Sequence, residues 1–517
     1  MKNKINSIVV FLAICGLIFS ACTKNFTEIN TDPNNSPNAL PKQLLAPALV
    51  SVVAENMSRN RSFTNELMQV TVSISDADAT VFRYNYPDSW SDYLYNGWYT
   101  ELTNFKDIYT MASEQINFNR SYMGISLICQ SWVYSLLTDT YGDIPFTQSN
   151  HGRDNLNYMP AFDKQKDIYD SLFANLEKAD TLLKTNTAID PNSDPVFNGN
   201  VSKWRKFGNS LYLRLLLRIS GKAEVADTSI AKIKQILADP STYPIMTSND
   251  DAAILRWTGV GAYMSPYVST RAQDFRGTAI CSFFIDHLVN WNDPRINIPE
   301  YGSSGVNRWG IAPVSGQYVG VKSGYATGTG DPKGSSFYAI DQTVSGLMPP
   351  ANNQQTEPLT GMIMNYAELQ FILAECSVKG WISGSSETYY NNGVQNSITQ
   401  WLPAWPDTST TVKSVVDYLV NADIQWDDNA TLDEKMEKIQ LQKYYALFRT
   451  DLQQWFEYRR TGHPVLPKGD GLGNDGIMPA RMKYPIYVQA TNPANYKAAV
   501  ANQGPDLIST PVWWQKP

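Results

Sequence analysis

Apolar side chains recur along the chain at three- and four-residue spacing in separate blocks, the pattern of helices that each bury one face. Ile125, Ile128, Cys129, Trp132, Val133 and Leu136 form one such stripe, and Gly142 followed by Pro145 supplies its stop. Ile168, Leu172, Leu176, Ala179 and Leu183 form a second, behind Phe162 and an expected N-cap at Asp163. From Trp204 to Ile219 the chain is apolar nearly all round, through Phe207, Leu211, Leu213, Leu215, Leu216 and Leu217, which predicts a central helix. Tyr366, Leu369, Leu373 and Cys376 make a fourth helical stripe, and Leu441, Tyr444, Tyr445, Phe448, Leu452, Trp455 and Phe456 a fifth. Between Trp257 and Gln355 the periodicity lapses into Gly, Ser, Tyr, Pro and Asn, apart from a stretch at about 279–290. Excursions of that length in a compact protein are usually functional. The expected fold is mainly α: a scaffold of tetratricopeptide-like helix pairs with long irregular loop excursions and little β. No consensus repeat of about 34 residues is visible.

The first residues follow a different logic. Lys2 and Lys4 precede an apolar run from Ile8 to Phe19, shorter than the roughly 20 residues that span a bilayer and suited to a secretory signal. The run ends Phe19-Ser20-Ala21-Cys22, small residues directly before a cysteine, which is the cleavage and acylation pattern of bacterial lipoproteins. The plainer alternative is ordinary secretory cleavage after Ala21 with Cys22 as a free thiol. The expected division is a signal peptide over 1–21, a lipidated flexible tether over 22–41 and one helical domain over 42–517. Within that domain the loop-rich excursion at about 257–355 is the expected ligand-binding part.

Charge and chemistry narrow the picture further. Lys and Arg total 42 against 49 Asp and Glu, a formal net charge of −7, with no basic block to neutralise a phosphate backbone. That argues against a nucleic-acid partner. His151, His287 and His463 are the whole histidine complement and there is no Cys-x-x-Cys, which argues against a His-rich or Cys-rich metal site. Past Cys22, Cys129, Cys281 and Cys376 are an odd number for an oxidising compartment, and Cys129 and Cys376 fall on apolar helical positions, as buried thiols would.

The usual catalytic signatures are missing: no Gly-x-Ser-x-Gly elbow, Walker loop, His-Glu-x-x-His or Gly-x-Gly-x-x-Gly after a strand. Ser229-Ile-Ala-Lys232 matches a Ser-x-x-Lys string without companion motifs and reads as amphipathic helix. Asp470 to Gly476 lacks the alternating acids and closing Glu of a calcium loop and reads as a turn. No cofactor and no metal are expected. A glycosidase needs only two carboxylates brought together in space, so a surface glycan hydrolase stays as an alternative.

Several segments in order resemble the SusD/RagB family of nutrient-binding outer-membrane lipoproteins of Bacteroidetes. Phe26-Thr-Glu-Ile-Asn30-Thr-Asp32-Pro33-Asn34 looks like its segment after the lipidated cysteine, and Thr138 through Tyr141-Gly142-Asp143-Ile144-Pro145-Phe146 like its turn after a helix. Lys203-Trp204 to Ile219 is similar to its central helix, Asp293-Pro294-Arg295 to one of its loops, and Tyr366-Ala-Glu368 to Glu375 to another helix. The most specific match is Trp455-Phe-Glu457-Tyr458-Arg459-Arg460-Thr461-Gly462-His463-Pro464, followed by Pro479-Ala-Arg481-Met-Lys-Tyr484-Pro485 and Val512-Trp513-Trp514. Gln453 or Gln454 and Val488-Gln489 depart from the family's acidic preferences. The resemblance implies a non-catalytic, cell-surface lipoprotein. It would capture an oligosaccharide, or a peptide, for a SusC-like TonB-dependent outer-membrane transporter. A structural lid without a ligand of its own is the further alternative.

A glycan offers apolar ring faces and many hydroxyls, so its receptor needs flat aromatic platforms flanked by amide, carboxylate and guanidinium groups. Aromatics make up 12% of the chain, with 29 Tyr and 14 Trp, and two stretches suit that need. The first holds Asp76, Asp78, Phe82, Arg83, Tyr84, Tyr86 and Trp90; the second, in the excursion, holds Tyr263, Tyr267, Arg271, Arg308, Trp309 and Tyr325. Asp78, Phe82, Arg83, Tyr84, Tyr86, Trp90, Tyr263, Arg308, Trp309 and Tyr325 are the candidate ligand contacts. Trp98, Trp132, Trp204 and Trp455 are assigned to the scaffold, and Arg459, Arg460 and His463 to ion pairs at a helix end.

Overall fold

The computed structural model describes residues 39–516 apart from 78–79, 297–306, 331, 341–352, 407–411 and 413. The expected signal peptide, Cys22 and the candidate Asp78 lie outside the described residues. The long helices are α1 (Pro41–Arg59), α2 (Trp90–Ser113), α3 (Arg120–Tyr141), α4 (Gln165–Leu183), α5 (Val201–Ile219) and α6 (Ala226–Ala238). They continue with α7 (Ser282–Asn290), α8 (Tyr366–Val378), α9 (Ser386–Thr399), α10 (Leu432–Ala446), α11 (Gln453–Thr461) and α12 (Pro493–Gln503). Consecutive helices pack side by side from α1 on α2 through α3, α4 and α5 to α6, and α8 packs on both α9 and α10. The protein is therefore mainly α, built of tetratricopeptide-like helix pairs. Among the described residues no helix is long and apolar enough to cross a membrane.

The predicted stripes become the core. Every residue of α3 from Ser121 to Tyr141 is buried, and so is α5 from Phe207 to Ile219. Asn119 caps α3 by accepting from the Ser121 and Tyr122 amides, and Gly142 ends it at φ 86°, a left-handed position suited to glycine. Trp98, Trp132, Trp204 and Trp455 are at most 1% exposed, in line with a scaffold role.

Two expectations need correction. Asp163 does not cap α4; its carboxylate accepts from the Phe146 and Thr147 amides at 2.9 Å each and ties down the turn after α3. The fifth stripe is not one helix but two, α10 and α11. Arg449 (φ 72°) and Asp451 (φ 32°) break it, and Thr450 there bridges to Met362 of a strand.

Strands are short and pair two by two among the described residues: β1 (Thr71–Ser73) with β3 (Thr278–Ile280), β2 (Ala253–Leu255) with β6 (Gly361–Met364), and β4 (Ile311–Ala312) with β5 (Ser336–Phe337). Each pair is antiparallel and each uses the excursion or its edges. Thr71 faces Ile280, which holds the segment after α1 against the excursion.

A chain of buried ions crosses the bundle. Arg214 on α5 pairs with Glu368 on α8 at 2.6 Å, and Arg218 with Asp139 at 3.4 Å and Glu457 at 3.1 Å. Glu457 also takes Lys443 and Arg460 at 2.7 Å each, and Arg460 reaches Glu375 at 2.6 Å. The Trp455 to Pro464 segment thus supplies ionic partners to helices α5, α8 and α10, Arg459 donates to the Asp139 carbonyl of α3 at 2.6 Å, and His463 hydrogen-bonds Glu437 at 2.7 Å. Burial works against the Glu375 charge, yet Arg460 and Lys379 outweigh it and bring the carboxyl down to about 2.

Candidate functional site

The two candidate stretches meet. After β1 the chain turns through a short helical turn, Val81–Arg83, whose Phe82 ring stacks on Tyr325 at 4.8 Å between centroids. The Arg83 guanidinium lies 4.7 Å from the centroids of both rings; its Nε donates to the Tyr325 carbonyl at 2.8 Å and Nη2 to Asp76 at 3.0 Å. Asp76 in turn accepts from the Gly328 amide at 2.8 Å and the Gly330 amide at 3.2 Å, and the Tyr325 hydroxyl donates to the Ser73 carbonyl at 2.9 Å. Burial opposes the Asp76 charge, but these amides and Arg83 hold its carboxyl below the usual range.

The Gly-rich segment near Asp470 closes this clasp from beneath. Gly471 donates to the Gly324 carbonyl at 2.8 Å and Gly473 to the Arg83 carbonyl at 2.7 Å. A Cβ at 469 would lie 2.2 Å from the Gly324 oxygen and one at 471 2.4 Å from the Tyr325 oxygen, so glycine is required for backbone to meet backbone.

The clasp is structural, which corrects several candidates. Phe82 is 0% exposed and Arg83 3%, and Tyr84 at 6% belongs to the main core, so their faces are covered by protein. Trp309 is also 0% exposed: it stacks on Phe284 at 5.6 Å, abuts Phe448 at 4.8 Å, and has the Arg295 guanidinium 4.7 Å from its centroid. A large ring inside an irregular segment finds enough apolar area in the bundle to be drawn into it. Arg308 is likewise held inward, paired with Glu357 and donating to the Trp401 carbonyl at 3.1 Å. Tyr267 is buried, its hydroxyl donating to the Met57 carbonyl at 2.7 Å, whereas Arg271 is exposed and paired with Asp274.

The remaining described candidates are only partly covered. Tyr86, Trp90, Tyr263 and Tyr325 are half-buried. Tyr86 stands edge-on to Phe63 at 5.1 Å, and its hydroxyl is buried without a hydrogen-bond partner. Trp90 and Tyr93, one turn apart on α2, both pack against Arg59 at the end of α1, whose guanidinium is 4.7 Å from each centroid. Tyr93 is 41% exposed. Glu55, one turn before Arg59, is pushed up by burial, against a hydrogen bond with Tyr93 that lowers it.

The result is a shelf: an indole and a phenol packed on one guanidinium, with the Glu55 carboxyl hydrogen-bonded to the phenol. Such a shelf can stack a flat apolar face and hydrogen-bond the groups around it. The sequence reading missed Arg59 and Tyr93. The three-residue spacing of Trp90 and Tyr93 was the available signal for Tyr93; nothing local marks Arg59, which meets them only in three dimensions. Among the described residues no group of three or more His, Cys, Asp or Glu side chains could hold a metal ion.

The helical scaffold thus presents a partly exposed aromatic shelf where α1 ends and α2 begins. The chain belongs to the SusD-like family, whose model, described as starch-binding and associating with the outer membrane, matches residues 33–485. A SusD homologue from Bacteroides fragilis superposes with a TM-score of 0.73 at 24% identity, over 93% of this chain and 100% of that one. A SusD homologue from Flavobacterium johnsoniae, described as chitin-binding, gives 0.74 at 21% identity over 92% and 98%. A SusD-like protein from Bacteroides thetaiotaomicron gives 0.72 at 22% identity over 92% and 98%. No curated protein matches the chain.

Proposed function

We propose that this protein is a lipid-anchored receptor on the outer-membrane surface that captures an oligosaccharide and hands it, unchanged, to a SusC-like TonB-dependent transporter. Family membership supports the membrane address and the binding role, and the Cys22 motif supplies an anchor. The observation that carries the reading is the shelf of Trp90, Arg59 and Tyr93. Aromatic rings locked by a guanidinium lose little freedom when a sugar ring settles on them. No step in capture needs a proton transferred or a bond broken.

Calorimetry with starch- and chitin-derived oligosaccharides tests this reading, with mass spectrometry of the recovered sugar. Binding by one class, weakened about tenfold (about 1.4 kcal/mol) by Trp90→Ala, and sugar recovered intact, is the expected result. Shortened products, or no heat with any class, would overturn it.

A further inference from the structure

A second concavity lies further along α2, away from the clasp. It has a volume of about 480 Å3, within the range of about 300–1,000 Å3 typical of small-molecule clefts. Tyr95, Tyr99 and Tyr487 line it together with Asn96, Thr100 and Asn150, among other uncharged residues. None of these side chains carries a formal charge. Lys106 sits behind Ser149, donating to its carbonyl at 2.8 Å and its hydroxyl at 2.9 Å, and is not part of the lining. Rings, amides and hydroxyls without charge suit a neutral polyol with apolar faces.

Asn150, one of the lining residues, stands out in two ways. Its backbone is left-handed (φ 62°), a conformation that asparagine tolerates better than most residues. Its Nδ2 donates to the Tyr99 carbonyl at 2.7 Å and Thr103 Oγ1 at 2.8 Å, while its Oδ1 is buried with no partner. A buried acceptor left that way costs free energy in the folded protein. The walls are already fixed: Tyr99 donates to the Pro145 carbonyl, and Tyr487, although 42% exposed, donates to Asn96 Oδ1.

The cleft and the shelf share one face of α2. Tyr93, Asn96, Thr100 and Thr103 follow one another at three, four and three residues, one strip of the α2 surface. At about 1.5 Å per residue the strip is about 15 Å long, room for several linked sugar rings.

We propose that this cleft is a second sugar-binding site, which seats a neutral pyranose unit of the same oligosaccharide that lies across Trp90 and Tyr93. The inference rests on the capture reading and adds to it a length requirement and an uncharged ligand.

The experiment is calorimetry of the intact protein with chitobiose, chitohexaose, maltose and maltohexaose. Wild type is compared with Trp90→Ala, Tyr487→Ala and Thr100→Trp, the last placing an indole at an exposed position in the cleft; thermal melts confirm that each variant folds. The expected result is that a hexamer binds wild type at least tenfold more tightly than its dimer, and that Thr100→Trp and Tyr487→Ala each remove most of that gain. Hexamer binding unchanged in both cleft variants, with Trp90→Ala still weakened, would overturn the second site and leave the shelf. Loss in the cleft variants with Trp90→Ala unaffected would support the cleft and overturn the shelf. Failure of both hexamers to bind wild type would overturn the two together.

Discussion

Arg83 and Tyr325, 242 residues apart in the chain, are joined twice: the guanidinium Nε donates to the Tyr325 carbonyl at 2.8 Å, and its carbon lies 4.7 Å from the Tyr325 ring centroid. The contact fastens the segment before α2 to the excursion. Arg83→Ala removes that fastening and takes one guanidinium away from the Asp76 carboxylate. The expected loss is about 2–4 kcal/mol of stability in urea unfolding. Arg83→Lys should recover little of it, since a single ammonium cannot reproduce the planar fork.

Glu66 lies under the same loop and accepts from the Phe82 amide at 3.2 Å. Burial raises its carboxyl to about 7, with that amide and Arg61 acting in the opposite direction. Because the folded value exceeds the unfolded one, the native state holds the extra proton between about 4.5 and 7, and stability falls as pH rises through that window. Glu66→Gln should therefore raise the melting temperature at pH 8 and make no difference near pH 4; urea midpoints across pH check this.

The ionic chain behaves oppositely. Glu375, brought down to about 2, contributes stability above its unfolded value near 4.5 that is lost as pH falls towards 2. Removing its partner with Arg460→Ala leaves Glu375 and Glu457 buried without a shared cation and should lower stability by about 3–5 kcal/mol. Replacing Arg460 and Glu375 together by apolar residues should be milder, which a double-mutant cycle measures.

Cys129, Cys281 and Cys376 are free and buried, and burial raises all three, Cys376 to about 12. An aromatic disulfide reagent should leave them untouched in the native protein and titrate them only after unfolding. Rapid native labelling of any one would contradict the burial.

The helical scaffold was legible because its signal is periodic and local: the stripes on α3, α4, α5 and α8 each became a buried face. The break between α10 and α11 was not, since the stripe carries on through Phe448 and Leu452 while the backbone turns at Arg449 and Asp451 to meet β6. Among the candidate ligand contacts, aromatic enrichment did not separate exposed rings from buried ones. Trp309 and Phe82 look like Trp90 in sequence; only the packing of Phe284 and Phe448 on one and Tyr325 on the other separates them. Arg59 and the Asn150 cleft depend on distant segments meeting, for which a linear pattern carries no mark.

The central claim is that a sugar chain rests on rings held by Arg59, and a crystal structure of the protein with chitohexaose or maltohexaose tests it most directly. The account predicts a pyranose ring stacked within about 4–5 Å of Trp90 or Tyr93, in the spacing of ring contacts generally. An ordered oligosaccharide seated elsewhere on the molecule, with Trp90 and Tyr93 bare, would contradict it.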